Sequence, residues 1–209
     1  MNKTHQEQWE DAANLNEDRY IATGWHYNDK LYETSGILTT GHLIDTLIPF
    51  MERKDFEKKN LLEIGCGNGR MTKYLAKCFS EIIATDCSKT MLDKGKKRVD
   101  DKNINWILNK NDLLTGVFDK SIDIAFSFIV FQHCKAPTIK SYFKEVERVL
   151  KPGGIFVFQL PLSNEHKEPG EFNAVANWTL EELEHELKGF EKLKHTNTAL
   201  KYHVFKKKN

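Results

Sequence analysis

The sequence has no apolar run long enough to cross a bilayer, which takes about 20 consecutive apolar residues. Its first residues, Met1-Asn2-Lys3-Thr4-His5-Gln6-Glu7, hold no hydrophobic signal core. It has almost no net charge, +1, so no global field draws in a polyanion such as nucleic acid. It is poor in cysteine, and Cys66, Cys78, Cys87 and Cys134 form no C-x-x-C pair. That spacing argues against a zinc site or a disulfide frame and for free thiols in a reducing cytoplasm. Internal repeats and low-complexity linkers are missing too, so no second domain is expected. What is present is ordinary for a folded domain: 209 residues, 29% charged and 40% hydrophobic, enough for one α/β domain with a single core.

The chain is organised around Leu61-Leu62-Glu63-Ile64-Gly65-Cys66-Gly67-Asn68-Gly69-Arg70. Leu61, Leu62 and Ile64 read as a short buried strand. The three glycines permit positive φ and let a ligand approach the backbone closely. Met71, Tyr74, Leu75 and Cys78 then share one helical face. Strand, glycine turn and helix form the nucleotide-binding corner of a doubly wound sheet. A dinucleotide fold calls for G-x-G-x-x-G, and Arg70 stands where the third glycine should be. A nicotinamide-dependent oxidoreductase therefore remains only as an alternative at this point.

Ahead of this corner, Trp9, Ala12, Ala13 and Tyr20 suggest an amphipathic helix, followed by a loop with Trp25, His26 and Tyr27. Leu43, Ile44, Leu47, Ile48 and Met51 predict a helix from about Thr40 to Lys54, with Pro49 as a kink or boundary. Beyond the corner, Ile82-Ile83-Ala84 reads as a parallel strand covered on both faces, ending at Asp86. A carboxylate at that strand tip can accept both hydroxyls of a ribose. Ser88 is an N-cap. Ile104, Trp106 and Leu108 mark a third strand leading to Asn111-Asp112-Leu113, and Ile122–Val130 a fourth, running into Phe131-Gln132-His133-Cys134. An apolar helical face from Ile139 to Leu150 stops at Lys151-Pro152-Gly153-Gly154, before a fifth strand, Ile155–Phe158. Thr179 and Glu182 make a capping box, and 190–198 and 201–207 read as two final strands.

The run Glu63-x-Gly65-x-Gly67-x-Gly69, with Asp86, Asp112, the Phe126-to-His133 stretch and Leu150-Lys-Pro-Gly-Gly154, resembles the class I S-adenosylmethionine-dependent methyltransferases over about residues 40–207. The resemblance implies a three-layer α/β Rossmann-like fold: a mostly parallel seven-stranded sheet, a C-terminal antiparallel hairpin and an N-terminal helical lid. It implies one domain over 1–209, with 1–39 as lid and 40–209 as core. It also implies S-adenosylmethionine as cofactor and cofactor contacts at Glu63, Gly65, Cys66, Gly67, Gly69, Arg70, Asp86, Cys87, Met91, Asp112, Leu113 and Phe128. Asp86 would take the ribose, and Asp112 the exocyclic amine of adenine, which can donate to a carboxylate.

Methyl transfer asks the protein mainly for positioning and exclusion of water. A proton-bearing acceptor adds the need for a base. His133 is best placed for that, with His26 and Tyr20 behind it; a histidine just after a strand can equally cap the next turn. No Asp/Asn-Pro-Pro-Tyr/Phe follows the fourth strand and no Pro-Cys is present, so base-amino and cytosine C5 chemistry are disfavoured. A small-molecule acceptor is expected, with no nucleic-acid, membrane or metal partner. A non-catalytic protein that binds S-adenosylmethionine also remains open.

Overall fold

A computed structural model describes residues 3–21, 28–109, 113–170, 175–194 and 200–209, with backbone alone for residue 5 and residues 16–21. Two compact units, Met1–Asn109 and Lys110–Asn209, divide the chain.

The first unit starts with two helices, α1 (His5–Ile21) and α2 (Asp29–Leu47). Three parallel strands follow, β1 (Asn60–Ile64), β2 (Glu81–Asp86) and β3 (Ile104–Leu108). Between them lie α3 (Thr72–Leu75), extended on both sides by turns, and α4 (Lys89–Arg98). The strand order is β3-β2-β1. Leu62 pairs with Ile83 and Ile64 with Thr85, while Asp86 pairs with Leu108 at the carboxyl end. Leu61, Leu62, Ile64, Ile82 and Ala84 are all buried to 1% exposure or less. That agrees with a continuous apolar run covered on both faces.

The α2 helix begins eleven residues before the predicted Thr40. Asn28 caps it, its Oδ1 accepting from the Leu31 N–H at 3.1 Å, and it ends before Pro49, as expected of the residue preceding a proline. Apolar periodicity misses its first half because, after Tyr32, the buried positions there are small or polar: Ser35, Gly36, Thr39 and Thr40. They are small for a reason. A Cβ on Gly36 would stand 2.5 Å from the Arg70 carbonyl oxygen and 2.8 Å from the Tyr74 ring. The helix thus lies directly on the chain that follows the glycine turn.

The second unit holds β4 (Ile122–Ser127), α5 (Ala136–Val149), β5 (Leu150–Phe158), α6 (Leu180–Glu186), β6 (Phe190–Lys192) and β7 (His203–Lys207). β4 and β5 are parallel, β7 lies antiparallel to β5, and β6 closes the series antiparallel to β7. The described residues thus supply seven strands, mostly parallel with an antiparallel C-terminal pair. The last two are shorter than predicted, and residues 195–199 lie outside the described residues. The core of this unit is aromatic: the Phe131 ring packs against Phe143 at 5.7 Å, Phe158 at 5.8 Å and Phe156 at 6.1 Å. The Thr179–Glu182 capping box forms as predicted, both reciprocal bonds present. Among the described residues, no helix is long and apolar enough to cross a membrane.

Gly95 gives a test of packing against propensity. In mid-helix, alanine is normally favoured over glycine by about 1 kcal/mol. Here a Cβ would meet the Trp106 ring of β3 at 2.7 and 2.8 Å. We expect Gly95→Ala to lower stability by about 1–3 kcal/mol, the usual cost of overpacking, measured by urea unfolding. A stabilised variant would show that Trp106 moves aside freely.

Candidate functional site

In the first unit, the turn after β1 is built by backbone sterics. Gly65, Gly67 and Gly69 have φ of +76°, +57° and +80°, values that side-chain-bearing residues adopt only at a cost. The Gly65 and Cys66 N–H groups both donate to the Thr85 carbonyl at 2.8 and 2.9 Å, holding the turn against β2.

Asp86 sits at the carboxyl tip of β2, part-exposed. Its Oδ2 accepts the Gly67 N–H at 2.9 Å and its Oδ1 the Ser88 N–H at 2.8 Å. One carboxylate therefore ties the glycine turn to the start of α4. Burial pushes its pKa up, the Ser88 and Gly67 N–H bonds pull it down, and the Glu10 carboxylate nearby pushes it up again, leaving it raised. Each carboxylate oxygen keeps acceptor capacity beyond its single N–H. That pair of acceptors, beside a turn with glycine at 65, 67 and 69, has the chemistry to take the two hydroxyls of a ribose diol.

The other predicted contacts of this unit separate into two groups. Gly65, Gly67, Asp86 and Cys87 surround the turn, and Met91, buried, lies on the first turn of α4, its N–H held by the Ser88 hydroxyl at 3.1 Å. Cys66 is buried, and burial raises its thiol pKa well above the ordinary value, so it stays a neutral packing group. Glu63, Gly69 and Arg70 serve the frame of the turn. Glu63, 4% exposed, accepts from the Thr72 hydroxyl at 2.6 Å, joining β1 to α3. The Cα of Gly69 faces Trp106 and Val99, at 3.0 and 3.2 Å from where a Cβ would stand. Arg70 directs its guanidinium at α2, donating to Ser35 Oγ at 3.2 Å and Thr39 Oγ1 at 3.4 Å.

Asn68, buried at the centre of the turn, accepts from the Tyr32 hydroxyl at 2.7 Å. Arg98 of α4 lies over the Tyr32 ring at 4.5 Å. Sequence reasoning missed Tyr32, Ser35, Thr39 and Asn68, whose partners lie 31 to 36 residues away in the chain. It also missed Glu10. Its carboxylate accepts from Ser88 Oγ at 2.6 Å and from the Thr90 N–H and hydroxyl at 3.2 and 2.5 Å.

In the second unit, Ser127 ends β4 buried, Phe128 is half-buried against Tyr202 at 6.0 Å between ring centres, and Leu113 is exposed. Ile129 has φ +56°, an uncommon state for a β-branched residue. His133 ends a short 3-10 helix, Phe131–His133, part-exposed, its N–H on the Val130 carbonyl at 2.9 Å and its ring 3.3 Å from the Gln132 amide. Asp112, Trp25, His26 and Tyr27, and the side chain of Tyr20, lie outside the described residues. Among the described residues, no group of three His, Cys, Asp or Glu could hold a metal.

Burial pushes the Glu63 carboxyl up to about 7, against the Thr72 hydrogen bond and the Arg70 charge. The folded chain holds that proton more tightly than the unfolded chain does. Its contribution is therefore full below the ordinary carboxylate pKa and drains as pH rises through about 7, by on the order of 3 kcal/mol. Glu63→Gln keeps an acceptor for Thr72 and cannot ionise. We expect it to match the wild type in urea unfolding at pH 5 and to exceed it at pH 8. Equal stability at both pH values would mean that Glu63 stays charged.

Comparison with known proteins gives a family model described as a methyltransferase domain, matching residues 62–158. The malonyl-[acyl-carrier protein] O-methyltransferase of Salmonella typhimurium is 29% identical over 164 residues, covering 74% of this chain and 62% of that protein. Seven further curated relatives are spanned over only 19–45% of their length. Among solved structures, the [4+2]-cyclase SpnF aligns with a TM-score of 0.67 at 21% identity, over 92% of this chain and 75% of that one. The phosphoethanolamine N-methyltransferase 1 of Haemonchus contortus, in complex with phosphoethanolamine and S-adenosylhomocysteine, aligns at 0.63 and 13%, over 98% and 48%. The two structures speak for the fold alone. The fold, the glycine turn with its clamping Asp86 and the match of residues 62–158 to a methyltransferase-domain model all agree with the resemblance to the class I S-adenosylmethionine-dependent methyltransferases.

Proposed function

We propose that the chain is an S-adenosylmethionine-dependent methyltransferase acting on a small-molecule acceptor in the cytoplasm, as one catalytic domain over 1–209 with 1–39 as its lid segment. The observation that carries this reading is Asp86. Each of its two oxygens is held by a backbone N–H group, and its remaining acceptor capacity suits the paired hydroxyls of a ribose. A small acceptor group is supported by the methyltransferase relative whose name specifies a malonyl group carried on an acyl-carrier protein. The cytoplasmic placement is supported by four free cysteines.

The bound cofactor would supply a methyl group on a sulfonium, already activated for in-line transfer. The chain's part is to hold both reactants and exclude water. Gly65, Cys66 and Gly67 offer close backbone approach, Asp86 orients the ribose, and Met91 and Cys87 border the segment after it. Asp112, Leu113 and Phe128 are assigned to the adenine side on the family pattern. His133 is assigned as the proton acceptor for a hydroxyl or ammonium substrate. Within 1–39, α2 is fixed to the glycine turn through Tyr32, Ser35 and Thr39, so the movable part of the lid is α1.

Saturating S-adenosylhomocysteine should raise the melting temperature. A ligand at about 100 times its dissociation constant adds about 2.7 kcal/mol. Asp86→Asn should weaken binding by about 1.5–3 kcal/mol for each charge-assisted bond lost, read by calorimetry. A folded wild type whose melting point does not move with the ligand overturns the function. Unchanged affinity in the variant removes Asp86 from the ribose. If α1 is the movable part, its amides should exchange faster than those of β1 and β2 in the free protein. They should slow most when S-adenosylhomocysteine is added. Equal protection with and without ligand would make α1 a fixed element.

A further inference from the structure

The α1 helix carries a polar stripe that meets the start of α4. Gln6, Glu10, Ala13 and Asn14 recur at helical spacing, and each meets the segment from Cys87 to Lys94. Gln6 donates to the Cys87 carbonyl at 3.0 Å, Lys94 donates to the Ala13 carbonyl at 2.8 Å, and the Thr90 hydroxyl lies 3.2 Å from Asn14 Oδ1. Ala12 and Ala13 are buried, and their small side chains permit the close approach. Glu10 is the centre of this contact. It accepts the Thr90 N–H from the first turn of α4, the end where a negative charge is favoured. Burial works to raise its pKa, and the Ser88 and Thr90 hydrogen bonds outweigh that, keeping it charged.

Ser88 makes this contact more than a helix-to-helix bond. Its hydroxyl donates to Glu10 and accepts the Met91 N–H, while its own N–H donates to Asp86 Oδ1. A continuous series therefore runs from Glu10 through Ser88 to Asp86 and on to the Gly67 N–H. We propose that Glu10 is a positioning residue of the cofactor site: through Ser88 it fixes the Asp86 carboxylate, so that docking of α1 and recognition of the ribose are one coupled event. This rests on the cofactor reading given above and adds to it a residue of the N-terminal helix that never needs to touch the cofactor.

The test is calorimetry of the full chain with S-adenosylhomocysteine on wild type, Glu10→Ala, Ser88→Ala and the double variant. Glu10→Ala should weaken binding about tenfold, given that a hydrogen bond to a charged group is worth about 1.5–3 kcal/mol. Ser88→Ala should weaken it to a similar extent. The double variant should be no weaker than the weaker single one, because both changes cut the same series. Glu10→Gln, which keeps one acceptor oxygen for Thr90, should recover part of the loss. Affinity of Glu10→Ala within twofold of wild type overturns the inference, and so does a double variant whose losses multiply. Should Glu10→Ala fail to fold, Thr90→Val, nearly isosteric and lacking the hydroxyl donor, carries the same comparison, with a loss of about threefold expected. A wild type that binds no S-adenosylhomocysteine overturns the cofactor reading and this inference with it. A wild type that binds while the variants match it overturns this inference alone.

Discussion

The first unit depends on one carboxylate. Asp86 takes the Gly67 N–H on one oxygen and the Ser88 N–H on the other. The glycine turn and the start of α4, separated by about twenty residues of chain, are thereby held to a single point. Neither N–H has a partner within a regular helix or strand, and leaving a buried donor unmet costs on the order of 1–3 kcal/mol. The residue suited to binding a ribose is thus also the residue that shapes the place where the ribose would sit. In the sequence, Asp86 reads as an acid at a strand tip, placed to accept ribose hydroxyls. In the structure it is a clamp, so removing it should loosen the turn as well as the ligand.

Small residues do the rest of the work around that turn. Gly36 lets α2 lie on the Arg70 carbonyl, and Gly69 and Gly95 leave room for the Trp106 ring. The polar groups of α2 then meet the turn directly: Tyr32 at Asn68, and Ser35 and Thr39 at Arg70. Arg70 stands where a dinucleotide fold would have its third glycine. Its guanidinium is committed to α2, which gives the residue a structural purpose and makes the departure from G-x-G-x-x-G intelligible.

The sheet strands and the glycine turn were legible in the sequence because both leave strong local marks: unbroken apolar runs for buried strands, and glycines for positive φ. The capping box at Thr179 and the N-cap at Ser88 were legible for the same reason. The beginning of α2 was not. Apart from Tyr32, its buried face is made of Ser, Gly and Thr, which carry no apolar period although they are buried. The roles of Glu63, Gly69 and Arg70 in framing the turn were also hidden, because a motif names the residues and not the direction in which they point. Glu10 left no trace at all. Its partners are Ser88 and Thr90, about eighty residues on, and a single acidic residue on a polar helix reads as solvated surface.

Two carboxylates, Glu10 and Asp86, both accept hydrogen bonds from Ser88, and like charges in such a position repel. The fold offsets this by giving each its own donors: Thr90 serves Glu10, Gly67 serves Asp86, and Ser88 gives its hydroxyl to the first and its N–H to the second. The net effects differ in sign, Glu10 being held below its ordinary pKa and Asp86 above. Asp86 is therefore the under-satisfied member of the pair, with burial opposing its charge and fewer donors stabilising it. Donors brought by a ligand would strengthen Asp86 far more than Glu10, whose needs the protein already meets. That asymmetry leaves acceptor capacity on the Asp86 side of the contact and not on the α1 side.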